Sequence, residues 1–247
     1  SLYFEAEEDS FTMLAIPAAA AGVLYKEGSL SGEDILVKIK DVPSDKGRKI
    51  PKGEIVRSFE FNAYTANSDA LSRIVFSPQK ITLKMHYKVS SGYVDGTTIL
   101  LSQVPRVLSI FYWNGLEWIK IGSNISTSEQ TLSIQTEHLS KYAIVKSINS
   151  DKFTLTKRIP PIITPNNDGI NDAAIFYFEN PRNCDVVGRI FDLSGSLVAD
   201  QLPGGPTSNS LRWDGKDDSG RIVDSGIYVY QLQTSEATLT GSVVVSK

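Results

Sequence analysis

The sequence is short of the residues that usually carry chemistry. It has one cysteine, Cys184, and two histidines, His86 and His138, among 247 residues. A lone cysteine excludes an intrachain disulfide and any zinc site built on paired thiolates. No nucleophile elbow, phosphate-binding glycine loop, zinc signature or paired-carboxylate pattern occurs. Neither sign of charge dominates: 25 basic against 28 acidic residues leave a net charge of −3, without the basic footprint of a nucleic-acid binder. No transmembrane segment is expected, since residues 11–25 are too few to span a bilayer and Pro17 interrupts them. The acidic Glu5, Glu7, Glu8 and Asp9 precede that run, where a signal peptide would be basic. It is expected as a buried strand and turn. Helical periodicity is nearly absent from the chain.

What is present is alternation. Across residues 81–89, Ile81, Leu83, Met85, Tyr87 and Val89 take one face, and Thr82, Lys84, His86 and Lys88 the other. A period of two marks a strand with one face in a core, and it places His86 in solvent. Segments 35–39, 59–64, 107–113, 116–121, 132–135 and 142–146 read as further strands. Asn114-Gly115 between two of them is a two-residue hairpin signal. The fold class expected is all-β, two tandem antiparallel β-sandwiches, the second immunoglobulin-like. Residues 1–150 form the first domain, 151–161 a linker stiffened by Pro160 and Pro161, and 162–247 the second. Seven strands are expected in the second, at 173–179, 185–193, 196–201, 210–213, 221–223, 226–233 and 237–246, the immunoglobulin-like count.

Four ordered motifs identify that second domain. Thr164 to Asp172 reads TPNNDGIND, Ile190 to Gly195 reads IFDLSG, Trp213 to Gly220 reads WDGKDDSG and is followed by GIYVY at Gly226 to Tyr230, and Gly241 to Val245 reads GSVVV. Together they resemble the gliding-motility-associated C-terminal domains, and the Ig-like domain of the flagellar hook-capping protein. Asn167 stands where glycine is usual in that family. The resemblance implies an extracellular or cell-surface address, with the domain read in some bacteria by the type IX secretion system as an export and anchoring signal. It implies no reaction. In the first half, the strands around Ile35, Ile81 and Leu108 to Gly115 lead to Thr136-Glu137-His138-Leu139-Ser140-Lys141-Tyr142-Ala143. This order is similar to the β-sandwich of zonula occludens proteins, netrin receptors and ankyrins, which implies a module for protein contacts.

Two places could carry chemistry. Asn166, Asp168, Asn171 and Asp172 crowd oxygen atoms into one glycine-bearing loop. Calcium takes such ligands, but so does a turn whose side chains cap their own backbone; both readings stay open. No other cofactor is implied. His138-Leu139-Ser140 has the residues of the self-cleaving tripeptide found in relatives of the first sandwich. There histidine deprotonates the hydroxyl for attack on the preceding carbonyl, which here would cut between Leu139 and Ser140. Trp113 and Trp118 could stack on a sugar or pack across their hairpin. The function expected is non-enzymatic: a structural, anchoring or export-sorting module whose partners are other surface proteins or copies of itself, with attachment to the cell envelope. The alternatives are a self-assembling filament or surface-layer subunit, in which residues 2–7 complete a neighbour's sheet, and the self-cleaving sandwich.

Overall fold

The structure, a computed structural model, describes residues 1–31, 35–65 and 74–247. The chain is all-β and divides into two compact units, Ser1–Asn149 and Ser150–Lys247. The first unit is an antiparallel sandwich. One sheet runs Leu2–Ala6, Asp9–Ile16, Ile81–His86, Thr131–Thr136, Asn124–Ser126 in spatial order. The other runs Trp118–Lys120, Leu108–Trp113, Lys141–Lys146, Gly53–Thr65, Ile35–Asp41, with Lys49–Ile50 added beside Gly53–Thr65. Ile81, Leu83, Met85 and Tyr87 are all fully buried, as alternation requires. Phe59, Phe61 and Tyr142 are their buried counterparts on the second sheet, and Phe61 meets the Tyr142 ring edge-on at 5.8 Å. A smaller cluster of Ile55, Phe111, Ala143 and Val145, with Ile50 and Trp118 against it, gathers side chains from five strands of that sheet.

Residues 11–25 do not form one strand and a turn. The Asp9–Ile16 strand ends before Pro17, and the helix Ala18–Ser31 follows. Ala20 and Ala21 donate their amides to the Pro17 carbonyl, and Ala20, Ala21 and Leu24 are buried. Alanine is the best helix former, and proline at a helix start sacrifices no hydrogen bond. Pro17 therefore opens a helix rather than interrupting a strand. The Leu2–Ala6 strand is also not free to complete another molecule's sheet along the edge it shares with Asp9–Ile16, since Leu2 to Ala6 pair there antiparallel within this chain.

The second unit has two sheets. Thr154–Ile159, Ala174–Glu179 and Ser210–Trp213 form one. Ile162–Ile163, Thr238–Val245, Gly226–Gln233, Val187–Phe191 and Leu197–Ala199 form the other, with the first pair parallel and the rest antiparallel. Between them lie Phe176, Ile190, Trp213, Tyr230, Leu232, Val243 and neighbours. Eight strands replace the seven expected, because Thr154–Ile159 and Ile162–Ile163 are added and residues 221–223 drop out. Most of the segment 151–161 is not a linker, because Thr154–Ile159 pairs with Ala174–Glu179 and Leu155 packs on the core. Its mixed polar composition is that of a half-buried strand. Residues 221–223, by contrast, form only an isolated bridge from Ile222 to Lys216 and a hydrogen bond from Val223 to Gly215.

Candidate functional site

The motifs of the second unit are turns held by aspartate. In the loop after Ile162–Ile163, Asp172 Oδ1 accepts the amides of Asn166 and Asn167 at 3.1 and 2.7 Å, and Oδ2 accepts that of Gly169 at 2.8 Å. Asp168 Oδ1 accepts the Ile170 amide at 2.7 Å, and its Oδ2 accepts the side-chain amide of Asn166 at 2.9 Å. Asn166 Oδ1 in turn accepts the Asp168 amide. The Ile170 amide, then the Asn166 side chain, hold the Asp168 carboxyl below its ordinary range. Asn167, Gly169 and Asn171 all have left-handed backbone, with φ of 69°, 84° and 57°. Asparagine tolerates that region better than other side chains do. This is the physical reason Asn167 can stand at a position where glycine is usual.

The other motifs repeat the device. Asp192 Oδ1 accepts the Ser194 hydroxyl and the amides of Ser194 and Ser196. Asp217 Oδ1 accepts the amides of Ser219 and Arg221. In both, these donors lower the carboxyl's pKa, led by the Ser194 hydroxyl for Asp192 and the Arg221 amide for Asp217. Trp213 closes its strand by burying its ring in the core at 5.4 Å from Tyr228 while Nε1 donates to the Lys216 carbonyl. Gly215 follows with φ of 72°, and a Cβ there would come within 2.9 Å of Pro165. The first and third motifs are thus packed against each other, with no room for a side chain between them.

Of the four candidate calcium ligands, the structure brings Asn166, Asp168 and Asp172 together as hydrogen-bond acceptors of their own loop. Asn171 contributes its carbonyl to the Thr164 amide. Among the described residues, no group of three or more histidine, cysteine, aspartate or glutamate side chains is arranged to hold a metal. Replacing Asp172 with alanine removes the acceptor of three amides in a largely exposed loop. A loss of about 1–2 kcal/mol is expected, since water replaces part of what is removed. Thermal unfolding of wild type and Asp172→Ala, each with millimolar calcium and with chelator, checks this. Capping predicts a lower midpoint for the variant and none that responds to calcium. A calcium-dependent rise confined to the wild type would assign the loop to the metal.

In the first unit, Tyr142 Oη lies 2.9 Å from both Nδ1 and the carbonyl oxygen of His138, and 3.1 Å from Thr136 Oγ1. Burial pushes the Tyr142 phenol pKa far up, so it remains a neutral hydroxyl. His138 also packs against the Tyr112 ring at 5.2 Å. Ser140 Oγ donates to the Trp113 carbonyl at 2.9 Å. Nucleophilic attack by that oxygen would first require it to leave this bond and present its proton to a base. Trp113 and Trp118 pair across their hairpin at 5.7 Å, and Asn114 Oδ1 accepts the amides of Leu116 and Glu117.

A polar cluster that sequence reasoning missed lies between the sheets of the first unit. The Arg57 guanidinium donates to Asp9, to Asp41 at 2.6 Å and to the His86 carbonyl at 3.1 Å. His86 Nδ1 lies 3.0 Å from Asp9 Oδ2, and the His86 ring packs on Phe11 at 5.1 Å. The side chains of Asp9, Arg57 and His86 are 3%, 13% and 13% exposed, so His86 is not the solvent residue that alternation implies. Burial alone would raise the Asp9 carboxyl, but hydrogen bonds and charge from Arg57 and His86 outweigh it and hold the pKa below the ordinary range. The local sign of this cluster is an aspartate, Asp9, at the start of the strand that runs on to Met13, Leu14, Ala15 and Ile16.

Comparison with known proteins adds an address. Residues 157–245 match the family described as the CHU_C type IX secretion signal domain. No curated protein matches the chain. Several solved structures align with it, PorZ and PorU among them. PorZ, an essential surface component of the type IX secretion system of Porphyromonas gingivalis, shares 9% identity over 87% of this chain and 38% of that one, with a TM-score of 0.29. Dimeric latent PorU of the same organism shares 13% identity over 83% of this chain and 25% of that one, with a TM-score of 0.28. The chain therefore spans well under half the length of either. The family match falls within the second compact unit, and a secretion signal domain of this kind implies export to the cell surface or beyond. No helix among the described residues is long and apolar enough to cross a membrane.

Proposed function

We propose that this chain is a non-catalytic module of a bacterial surface protein, whose C-terminal unit is read by the export machinery and whose N-terminal sandwich supplies a rigid contact surface held near the cell envelope. The observation that carries the reading is the secretion-signal match over residues 157–245. In support, the side chains its motifs contribute are spent on turn geometry: Asp168, Asp172, Asp192 and Asp217 accept their neighbours' amides. A recognition module needs a rigid, reproducible surface more than it needs a reactive group. The N-terminal sandwich fits a contact role because its polar cluster at Arg57 is enclosed by the fold, and charges held this way reinforce a scaffold.

The test is export of the intact chain. Placed behind an inner-membrane leader in a type IX-competent bacterium, it should reach the surface or medium as one uncut species of full mass. In a strain lacking the type IX translocon it should stay in the periplasm. Retention in both strains, or release from both, would overturn the sorting role. Fragments divided between Leu139 and Ser140 would overturn the non-catalytic one.

A further inference from the structure

The register of the five-stranded sheet decides what its outer face presents. Ile162 pairs with Val244, which pairs with Ile227. One step along the strands, Val229 pairs with Phe191, which pairs with Leu197. Paired residues project to the same side, and Leu197, which pairs across an irregularity between Ile190 and Phe191, is exposed, so these six side chains form two adjacent apolar rows, with Ser242 beside Val229, reaching across all five strands. Inward-facing neighbours Ile163, Tyr228, Tyr230 and Val243 fill the core, so the rows are on the opposite side. Ile162, Leu197 and Ile227 are 48%, 50% and 49% exposed. One step further, the same face turns polar, with Thr240, Gln231 and Arg189 in register. A solvated sheet face is ordinarily polar throughout, and this one is polar at one end only.

Beside Leu197 the patch runs into an open cleft of about 480 Å³. Its walls hold Ile222, itself 44% exposed, and the carboxylates of Asp192, Asp217 and Asp224 against one cation, Arg221. Arg221 is paired with Asp217, and Lys247 reaches Asp224 from outside the cleft. Asp192 retains its charge, held ionised by the Ser194 hydroxyl and by amides of its own turn.

We propose that the apolar end of this face and the adjoining cleft are the docking surface of the C-terminal unit. Its occupant is a segment of another protein that carries aliphatic or aromatic side chains next to a lysine or arginine. The inference rests on the reading of this unit as an export signal, and names the surface by which it is read. Charge selects the occupant: apolar rows ending in a cleft whose three carboxylates still outnumber Arg221 and the outside Lys247 together complement an apolar segment with a basic residue at one end. Extent selects it too. Six side chains cover far less than the roughly 800 Å² per partner of a stable complex, which suits a contact that must be made and released during export and does not suit a permanent dimer of this chain.

Export of the full chain, as above, is the assay. Ile227→Thr with Leu197→Thr removes two exposed apolar side chains and puts β-branched threonine, suited to strands, at both positions. The double variant should melt as the wild type does, remain in the periplasm, and reach the surface at least tenfold less. Asp224→Lys, at a side chain 98% exposed, should reduce export severalfold. Gln231→Ser with Thr240→Ser, on the polar end of the same face, should export normally. If the wild-type chain is exported and the apolar variants are exported equally, the docking surface is wrong and the sorting role stands. If the wild type is not exported, both fall. If the double variant melts lower, Ile227→Thr alone decides by the same criterion. Sedimentation at high concentration completes the test: a wild-type dimer dissociated by the double variant would make the face a contact between copies and overturn the proposal.

Discussion

Replacing Trp213 with alanine should unfold the C-terminal unit at a cost of about 3–5 kcal/mol, the range for removing a fully packed aromatic. The ring is 2% exposed, stands 5.4 Å from Tyr228, and lies in the cluster with Phe176, Tyr230 and Leu232. Its loss leaves a cavity that neighbouring strands cannot fill by small shifts, because cores are close-packed. It also removes the donor to the Lys216 carbonyl and loosens the loop whose Gly215 abuts Pro165. A domain of this size has a total stability of about 5–15 kcal/mol, so the variant should be near its limit at physiological temperature. Trp213 is the one tryptophan of the second unit, with Trp113 and Trp118 in the first. Two compact units need not unfold together, so the measurement must resolve them. Amide exchange read segment by segment should show protection lost after residue 150 and kept before it. Trp113→Ala, at a half-buried hairpin position, should cost markedly less. Equal losses for the two variants would mean that Trp213 is no keystone of its core.

Removing the Arg57 guanidinium should have an effect of similar size in the other unit. Arg57→Met leaves Asp9, with a side chain 3% exposed, only His86, the Phe11 amide and the Thr12 hydroxyl as partners, and leaves Asp41 without the guanidinium. Breaking a buried ion pair by removing one partner costs about 3–5 kcal/mol, because the remaining charge stays desolvated. Arg57→Lys should recover only part of this, since an ammonium cannot span both carboxylates as the planar fork does. Arg57→Met combined with Asp9→Asn and Asp41→Asn should recover most of it, because little uncompensated charge then remains. Urea denaturation of the four proteins decides the matter. A triple variant no more stable than Arg57→Met would show that the loss comes from packing and not from charge.

This cluster and a second one, in which buried Asp45 meets Lys141 at 2.6 Å and Ser58 at 2.9 Å, set an acid limit. Asp9 has its pKa lowered by Arg57 and His86 against the opposing effect of burial, and Asp45 has its own lowered by Lys141 and Ser58 against the same opposition. A carboxyl whose folded pKa lies below its unfolded value contributes stability that is complete above the unfolded value of about 3.9. That contribution is lost as pH falls through the folded value. The wild-type first unit should therefore hold its stability down to about pH 4 and lose it below. In Arg57→Met the Asp9 pKa rises, and the loss should begin at higher pH.

The sequence by itself determined the local geometry: the strands, the glycine and asparagine turns, the all-β class, and the motif order that marks the second unit. Those features depend on neighbours a few positions apart, through the two-residue period of a strand and the steric cost of positive φ, so they can be read from the chain. The tertiary structure decided which strands become neighbours, and therefore everything that depends on distant partners. Arg57 meets Asp9 across 48 positions and His86 meets Asp9 across 77, and no spacing rule links them. The same holds for the 151–161 segment, which becomes a strand because Ala174–Glu179 supplies its ladder. It holds too for the apolar rows, whose six members come from five strands aligned by register. Hydrogen bonding between strands is indifferent to sequence separation, whereas the backbone preferences that make each strand are local.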